Sequence, residues 1–236
     1  MIKSFNQYLN ESWVLKNHET KKDIMTIDSA GDGDISYDFS STPDLQKSNF
    51  VNCIIHDSNF NGCDLTGSTF FGSSIAKTTF DESIISNVNF SVVEFEDISM
   101  KGVKIINTER NKKSEGCNFT SSWIRNSDFS GVEFGHVTFN YCVVSSVNFS
   151  GCNFLKCEMS KANFKNCDFT NTKFNEQDVK NITMKNFPTF TNCDFTGSNL
   201  FDIVDLSKID VDSLKGCIGL PRKFQASVYG RTAFGI

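Results

Sequence analysis

A long apolar run is the first thing this sequence lacks. No stretch of about 18 apolar residues occurs in its 236, so no membrane-spanning helix is expected. The opening MIKSFNQYLNES has no apolar block ahead of a small-residue cleavage site, and it is not read as a secretory signal. Histidine and proline are down to 3 residues each, tyrosine to 4 and tryptophan to 2. Strong charge is missing too. The formal net charge of -5 argues against a broad surface for binding nucleic acid directly. Against these absences stand 24 Phe and 9 Cys. With 39% hydrophobic and 22% charged residues, the chain can bury one core and most of it is expected to be globular. So uneven a use of Phe points to one structural slot filled many times over.

The slot recurs every fifth residue. From Leu45 the series runs through Phe50, Ile55, Phe60, Leu65, Phe70, Ile75, Phe80, Ile85, Phe90, Phe95 and Met100 to Ile105. The phase breaks, resumes at Phe119 and holds through Phe149 and Phe174 to Val179 and Met184. One extra residue then shifts it to Phe190, Phe195 and Leu200. All thirty positions are apolar and seventeen are Phe. Two residues before each centre the side chain is mostly small, as at Ser48, Cys53, Ser68, Cys142 and Ala162. The residue just before the centre is often Asn, Asp or Thr, as at Asn49, Asp64, Asp128, Asn148 and Asp194. A period of five fits neither regular element, because a helix would set i and i+5 about 140° apart and a strand would put them on opposite faces. The chain must instead turn once per pentad, and the turns must stack to bury their apolar residues.

This pattern, small–Asn/Asp–Phe/Leu–x–x over about 43–201, resembles the pentapeptide-repeat proteins. The resemblance implies an all-β fold, a right-handed quadrilateral parallel β-helix with four pentads per coil. Thirty pentads then make about 7–8 coils, a rod about 36 Å long at the stacking distance of strands, with stacked aromatic ladders inside and short helical or irregular caps.

Eight of the nine cysteines (53, 63, 117, 142, 152, 157, 167 and 193) fall in the small slot, and the ninth, Cys217, lies in LKGCIGLP. They read as buried free thiols rather than metal ligands or disulfides, and free thiols imply a reducing compartment. His18, His56 and His136 are scattered without a second ligand at metal spacing. Asp28, Asp32 and Asp34 hint at a calcium loop but lack its Gly at position six and its closing Glu. No nucleophile–base pair, phosphate loop or carboxylate cleft emerges. The chain is read as no enzyme, with no cofactor and no metal.

The breaks and ends carry the remaining signals. Thr108–Gly116 is polar and charged with no centre, and is expected to be an inserted loop in which Glu109, Arg110, Lys112, Lys113 and Glu115 are candidate partner contacts. The second break, Asn186–Thr189, reads as a local bulge or corner. Residues 202–236 read as a C-terminal cap and tail, with a helical turn over Asp210–Gly216. Residues 12–42 read as a linker. Ile2, Phe5, Tyr8 and Leu9 share one helical face, which suits a cap or an amphipathic leader over 1–11. Lys3–Glu11 also resembles the head-targeting peptide of internal capsid proteins in T-even-type phages. That resemblance makes Leu9 and Glu11 a candidate cleavage motif, cut after Glu11.

Two functions follow as expectations. One is a structural or protein-interaction rod, phage-encoded and packaged in the head, with an unidentified protein partner and no membrane. The other is a DNA mimic acting on a host type II topoisomerase or another DNA-binding protein, as the quinolone-resistance members of the resembled family do. Between 43 and 201 there are 17 Asp/Glu and 14 Lys/Arg, little charge beside a duplex. One continuous acidic face, with lysines kept to the others, would favour mimicry. Either way the chain is expected inside a host cell or a phage head rather than secreted.

Overall fold

A pentad turns because its residue two after the centre takes a left-handed backbone. In the computed structural model these residues have φ between +47° and +74° (Asp57 and Gly197 mark the ends), whether glycine or not. The structure describes residues 12–17, 19–28, 34–42, 44–105, 117–174, 187–203, 209 and 211–222. Asn or Asp before the centre locks many of these turns. Its side-chain oxygen accepts the backbone N–H two residues on, as from Asn59 to Asn61 (2.9 Å), Asn118 to Thr120 (2.9 Å) and Asp168 to Thr170 (2.8 Å). This is the Asx turn, which explains that residue preference.

Each coil uses four such turns. Asp44 bridges Asp64, Asn49 bridges Thr69, Ile54 pairs with Ser74 and Asn59 bridges Thr79, all in parallel and twenty residues apart. The centres therefore form four columns, here called face 1 (through Ile55), face 2 (Phe60), face 3 (Leu65) and face 4 (Phe70). Other pentads run as short strands, some of them with Asn before the centre, as at Asn153 and Asn163. Face 1 is an eight-stranded parallel sheet of β3 (Asp34–Ile35), β4 (Ile54–His56), β5 (Ser74–Ala76), β6 (Glu94–Glu96), β8 (Trp123–Arg125), β10 (Val143–Ser145), β12 (Asn163–Lys165) and β14 (Thr189–Thr191). Face 3 turns into a sheet in the second half, with β7 (Lys104–Ile105), β9 (Glu133–Gly135), β11 (Asn153–Leu155) and β13 (Lys173–Phe174). The whole is an all-β parallel solenoid, with about six turns complete among the described residues.

The core is dry and aromatic. Phe rings stack down face 4 from Phe50 to Phe70 to Phe90 to Phe119 to Phe139 at 4.6–5.1 Å. On face 2 they stack from Phe39 to Phe60 to Phe80, and again from Phe129 through Phe149 and Phe169 to Phe195. Across the rod the two ladders meet edge-on, as Phe60 meets Phe70 at 6.0 Å. Both geometries suit the ring quadrupole. The small slot lies inside too, and its hydroxyl or thiol donates to a carbonyl either of its own coil, as Ser83 Oγ does to Phe80, or of the coil below. Ser122 Oγ bonds the Phe90 carbonyl, Cys142 Sγ that of Phe119 and Cys152 Sγ that of Phe129. Serine and cysteine fill the slot because they are small and can make that bond.

Four expectations are corrected. Residues 12–42 are no plain linker. β1 (Ser12–Lys16) and β2 (Asp23–Asp28) form an antiparallel hairpin, and the Asn49 N–H donates to the Lys16 carbonyl at 2.9 Å. Ile35 and Phe39 are buried and already occupy the first coil, so the solenoid starts near Asp34. Second, the break before Phe190 is longer than one residue. Phe164 pairs with Phe190, twenty-six residues on, so this coil holds six extra residues. Counting in fives hid a whole additional pentad, because Val179 and Met184 kept the apolar rhythm; both lie outside the described residues. Third, Leu200 starts a short helix, α1 (Leu200–Ile203), instead of another pentad. Fourth, Cys217 does take a small slot. Its Sγ bonds the Phe190 carbonyl, and Ile218 bridges Asp194 after a 3-10 turn at Val211–Leu214. Gly219, at φ +72°, lets this cap sit down, since a Cβ there would run into the backbone of Phe195 and Thr196.

Candidate interaction faces

The packed interior leaves the four outer faces to carry any recognition, and they differ in chemistry. On face 2 the residue before each centre runs Asp38, Asn59, Thr79, Ser99, Asp128, Asn148, Asp168, Asp194. Asp81 and Glu82 follow Phe80 on the same face. The cation this face presents is Lys101, and it is tied to Asp128 at 3.1 Å, which raises the lysine's pKa. The carboxyl of Asp38 is held below the usual range by hydrogen bonds from the Ser40 hydroxyl and backbone N–H. Face 2 is therefore an acidic stripe.

Face 4 is nearly uncharged for five coils, with Asn49, Thr69, Asn89, Asn118 and Thr138 bridged in a column. Face 1 mixes charge and apolar surface. The residues before its centres run Glu94, Trp123, Val143, Asn163, and those after run Glu96, Arg125, Ser145, Lys165. Trp123 and Val143 are about half exposed. At the corner between faces 4 and 1, Tyr141 is exposed beneath the Lys161 ammonium, which lies 5.3 Å from its ring. At the start of face 1, His56 reaches Asp34 Oδ1 at 2.7 Å and Asp57 Oδ2 at 3.0 Å, and these carboxylates raise its pKa, Asp57 most. The sequence reading took His56 as an isolated surface residue, because Asp34 comes from the preceding coil.

The thiols are not alike: a hydrogen bond with Cys193 lowers the pKa of Cys167, while burial acts the other way at several others. Burial pushes Cys117, Cys142 and Cys152 up to about 12. Cys157 alone among the slot cysteines is only partly buried. Among the described residues there is no cluster of three or more His, Cys, Asp or Glu able to hold a metal, and no helix long and apolar enough to cross a membrane.

The candidate loop residues Glu109, Arg110, Lys112, Lys113 and Glu115, and the leader residues Leu9 and Glu11, lie outside the described residues. The register around the loop is nonetheless set. Asn89 bridges Asn118 and Ser99 bridges Asp128, twenty-nine residues apart, so the coil accommodates nine extra residues between faces 3 and 4. Sequence reasoning missed the acidic face and the apolar centre of face 1. Sorting the polar positions by twenty rather than by five would have found both.

Comparison with known protein families finds a repeat in part of the chain. The family described as pentapeptide repeats matches residues 43–72 and 139–176, in 8 copies. These two stretches are similar to pentapeptide repeats. No curated protein matches it. Among solved structures, the chain is similar to QnrB1, a plasmid-mediated fluoroquinolone resistance protein. The identity there is 16%, with 86% of this chain and 98% of that one covered, at a TM-score of 0.44. It is also similar to HetL of the cyanobacterium Nostoc, a pentapeptide repeat protein involved in heterocyst differentiation regulation. That match has 12% identity, covers 78% and 86% of the two chains, and has a TM-score of 0.34. A pentapeptide repeat protein of the Arabidopsis thaliana thylakoid lumen matches at 16% identity over 61% and 69%, with a TM-score of 0.20.

Proposed function

We propose that this chain is a non-enzymatic pentapeptide-repeat rod that works by presenting a flat, charged face to a protein partner. The observation that carries this is the acidic stripe of face 2, held on turns whose Asx bonds and stacked rings leave little freedom. Preorganised charge of one sign on a rigid support speeds encounter and fixes register with a basic partner. The test reverses the stripe by Asp128→Lys, Asp168→Lys and Asp194→Lys together, with Asn118→Lys and Thr138→Lys on face 4 as the control. Partners captured from expressing cells should be lost with the first set and kept with the second. Equal retention by both would refute the reading.

A second reading, mimicry of DNA toward a type II topoisomerase or another DNA-binding protein, is favoured by the same stripe, whose lysine is neutralised by Asp128. Its charge is sparse. Asp128, Asp168 and Asp194 stand two coils and then one coil apart, about 10 and 5 Å, against one charge per about 1.7 Å of duplex. Supercoiling by a purified gyrase in the presence of the chain tests this reading. Inhibition that vanishes with the face 2 reversal supports it, and no inhibition removes gyrase as the target.

Packaging in a phage head rests on the leader. A cut after Glu11 would release Ser12, the first residue of β1, so the protease would work beside a strand rather than in a long linker. Mature chain from particles should begin at Ser12, and an intact Met1 or Ile2 there would exclude packaging by this route.

A further inference from the structure

We propose that two copies of this chain pair antiparallel through face 1, centred between strands β8 and β10. The reason lies in the order of its outward residues. Along one column they run Glu94, Trp123, Val143, Asn163, and along the neighbouring column Glu96, Arg125, Ser145, Lys165. When two such faces meet about a two-fold axis parallel to the strands, the first of these four strands faces the fourth and the second faces the third. Each column then faces its own copy in reverse.

The pairs made this way are complementary throughout. Trp123 lies on Val143 of the other copy, twice, joining two half-exposed apolar surfaces at the centre. Glu96 faces Lys165, twice, at the two ends, and Lys165 makes no ion pair of its own among the described residues. Glu94 faces Asn163, and Arg125 faces Ser145. No like charges are opposed. One coil further out, Ser74 and Ala76 of β5 face Thr189 and Thr191 of β14, small against small. A parallel pairing about an axis along the rod would instead exchange the two columns and set Glu94 against Glu96 of the other copy, twice. A second copy is therefore the occupant that this charge order fits.

The contact is narrow. Six strands at about 4.8 Å spacing make a face about 24 Å long, one residue triplet wide. That puts the association with small, concentration-dependent interfaces rather than obligate ones. It uses a different face from the acidic stripe and stands whether or not face 2 binds a partner.

The test uses the full chain and two charge reversals, Glu96→Lys and Lys165→Glu, with mass followed against concentration by sedimentation equilibrium. The parent chain of 26.4 kDa should move toward twice that mass as concentration rises. Each single variant alone opposes like charges at both ends and should associate about tenfold more weakly. Mixing the two variants restores both pairs in a mixed dimer, which should recover the parent affinity. Recovery on mixing requires that position 96 face position 165, and loss of the internal Glu96–Arg125 contact cannot imitate it. Trp123→Ala should also weaken the dimer, and because Trp123 is exposed the fold should keep its melting temperature. A parent chain that stays monomeric, a dimer indifferent to these changes, or variants that fail to recover when mixed would each overturn the proposal.

Discussion

Replacing Phe149 tests the stacked core most sharply. Its ring is fully buried and lies between Phe129 at 5.5 Å and Phe169 at 5.0 Å, with Phe139, Phe154 and Phe164 contacting it at an angle from 6.0 to 6.3 Å. Phe149→Ala removes the buried ring and leaves a cavity whose walls belong to two other coils. Those walls are pinned by ladder bonds such as Phe149 N–H to the Asp168 carbonyl at 2.7 Å, so they can close only partly. The expected loss is about 3–5 kcal/mol, a large share of the roughly 5–15 kcal/mol that holds a domain folded. Phe149→Leu keeps most of the volume and isolates the aromatic part. In a double-mutant cycle with Phe169→Leu the coupling should be about 1 kcal/mol, the worth of one stacked pair. The same cycle with Phe39→Leu, on the same face but several coils away, should give additive effects. Phe149→Asp, which puts an unpaired charge in the dry stack, should unfold the coils around it. Urea denaturation followed by circular dichroism reads all of these. If Phe149→Ala costs less than about 1 kcal/mol, or if the Phe169 coupling is absent, the stacked-ladder account of the core is wrong.

Three further outcomes follow from particular residues. Cys117, Cys142 and Cys152 stay protonated in the folded chain up to about pH 12, against an ordinary value of 9.0. The native state thus keeps protons that the unfolded chain loses. Stability should be full below pH 9 and fall above it by about 1 kcal/mol per thiol between pH 9 and 10, seen as a falling urea midpoint; a flat profile to pH 11 would contradict their burial. Val92 sits at φ +59°, where a β-branched side chain is strained, and it is half exposed, so Val92→Gly should stabilise the chain by about 1 kcal/mol in thermal melts. Deleting Thr108–Gly116 removes nine residues and should restore a twenty-residue coil with the melting temperature kept; collapse would mean that these residues build the solenoid.

The sequence by itself determined the repeating unit. Apolar side chains five apart cannot share a face of a helix or strand, so a stacked, turning chain was the remaining way to bury Phe50, Phe60 and Phe70 together. It also determined the inward thiols, since Cys142 and Cys152 occupy the position of Ser68 and Ser122. Tertiary structure decided everything that depends on which coil lies over which. The six-residue break before Phe190 was invisible because Val179 and Met184 keep the apolar rhythm, and only the pairing of Phe164 with Phe190 exposes it. The first coil was hidden because Phe39 falls one residue out of step with Leu45, a shift that the 3-10 turn at Phe39–Ser41 absorbs. The outer faces followed the same rule. Asp128 and Asp168 are forty residues apart in the chain, and Trp123 and Val143 twenty. What brings each pair onto one face is the backbone hydrogen bonding between coils, which a single pentad does not encode.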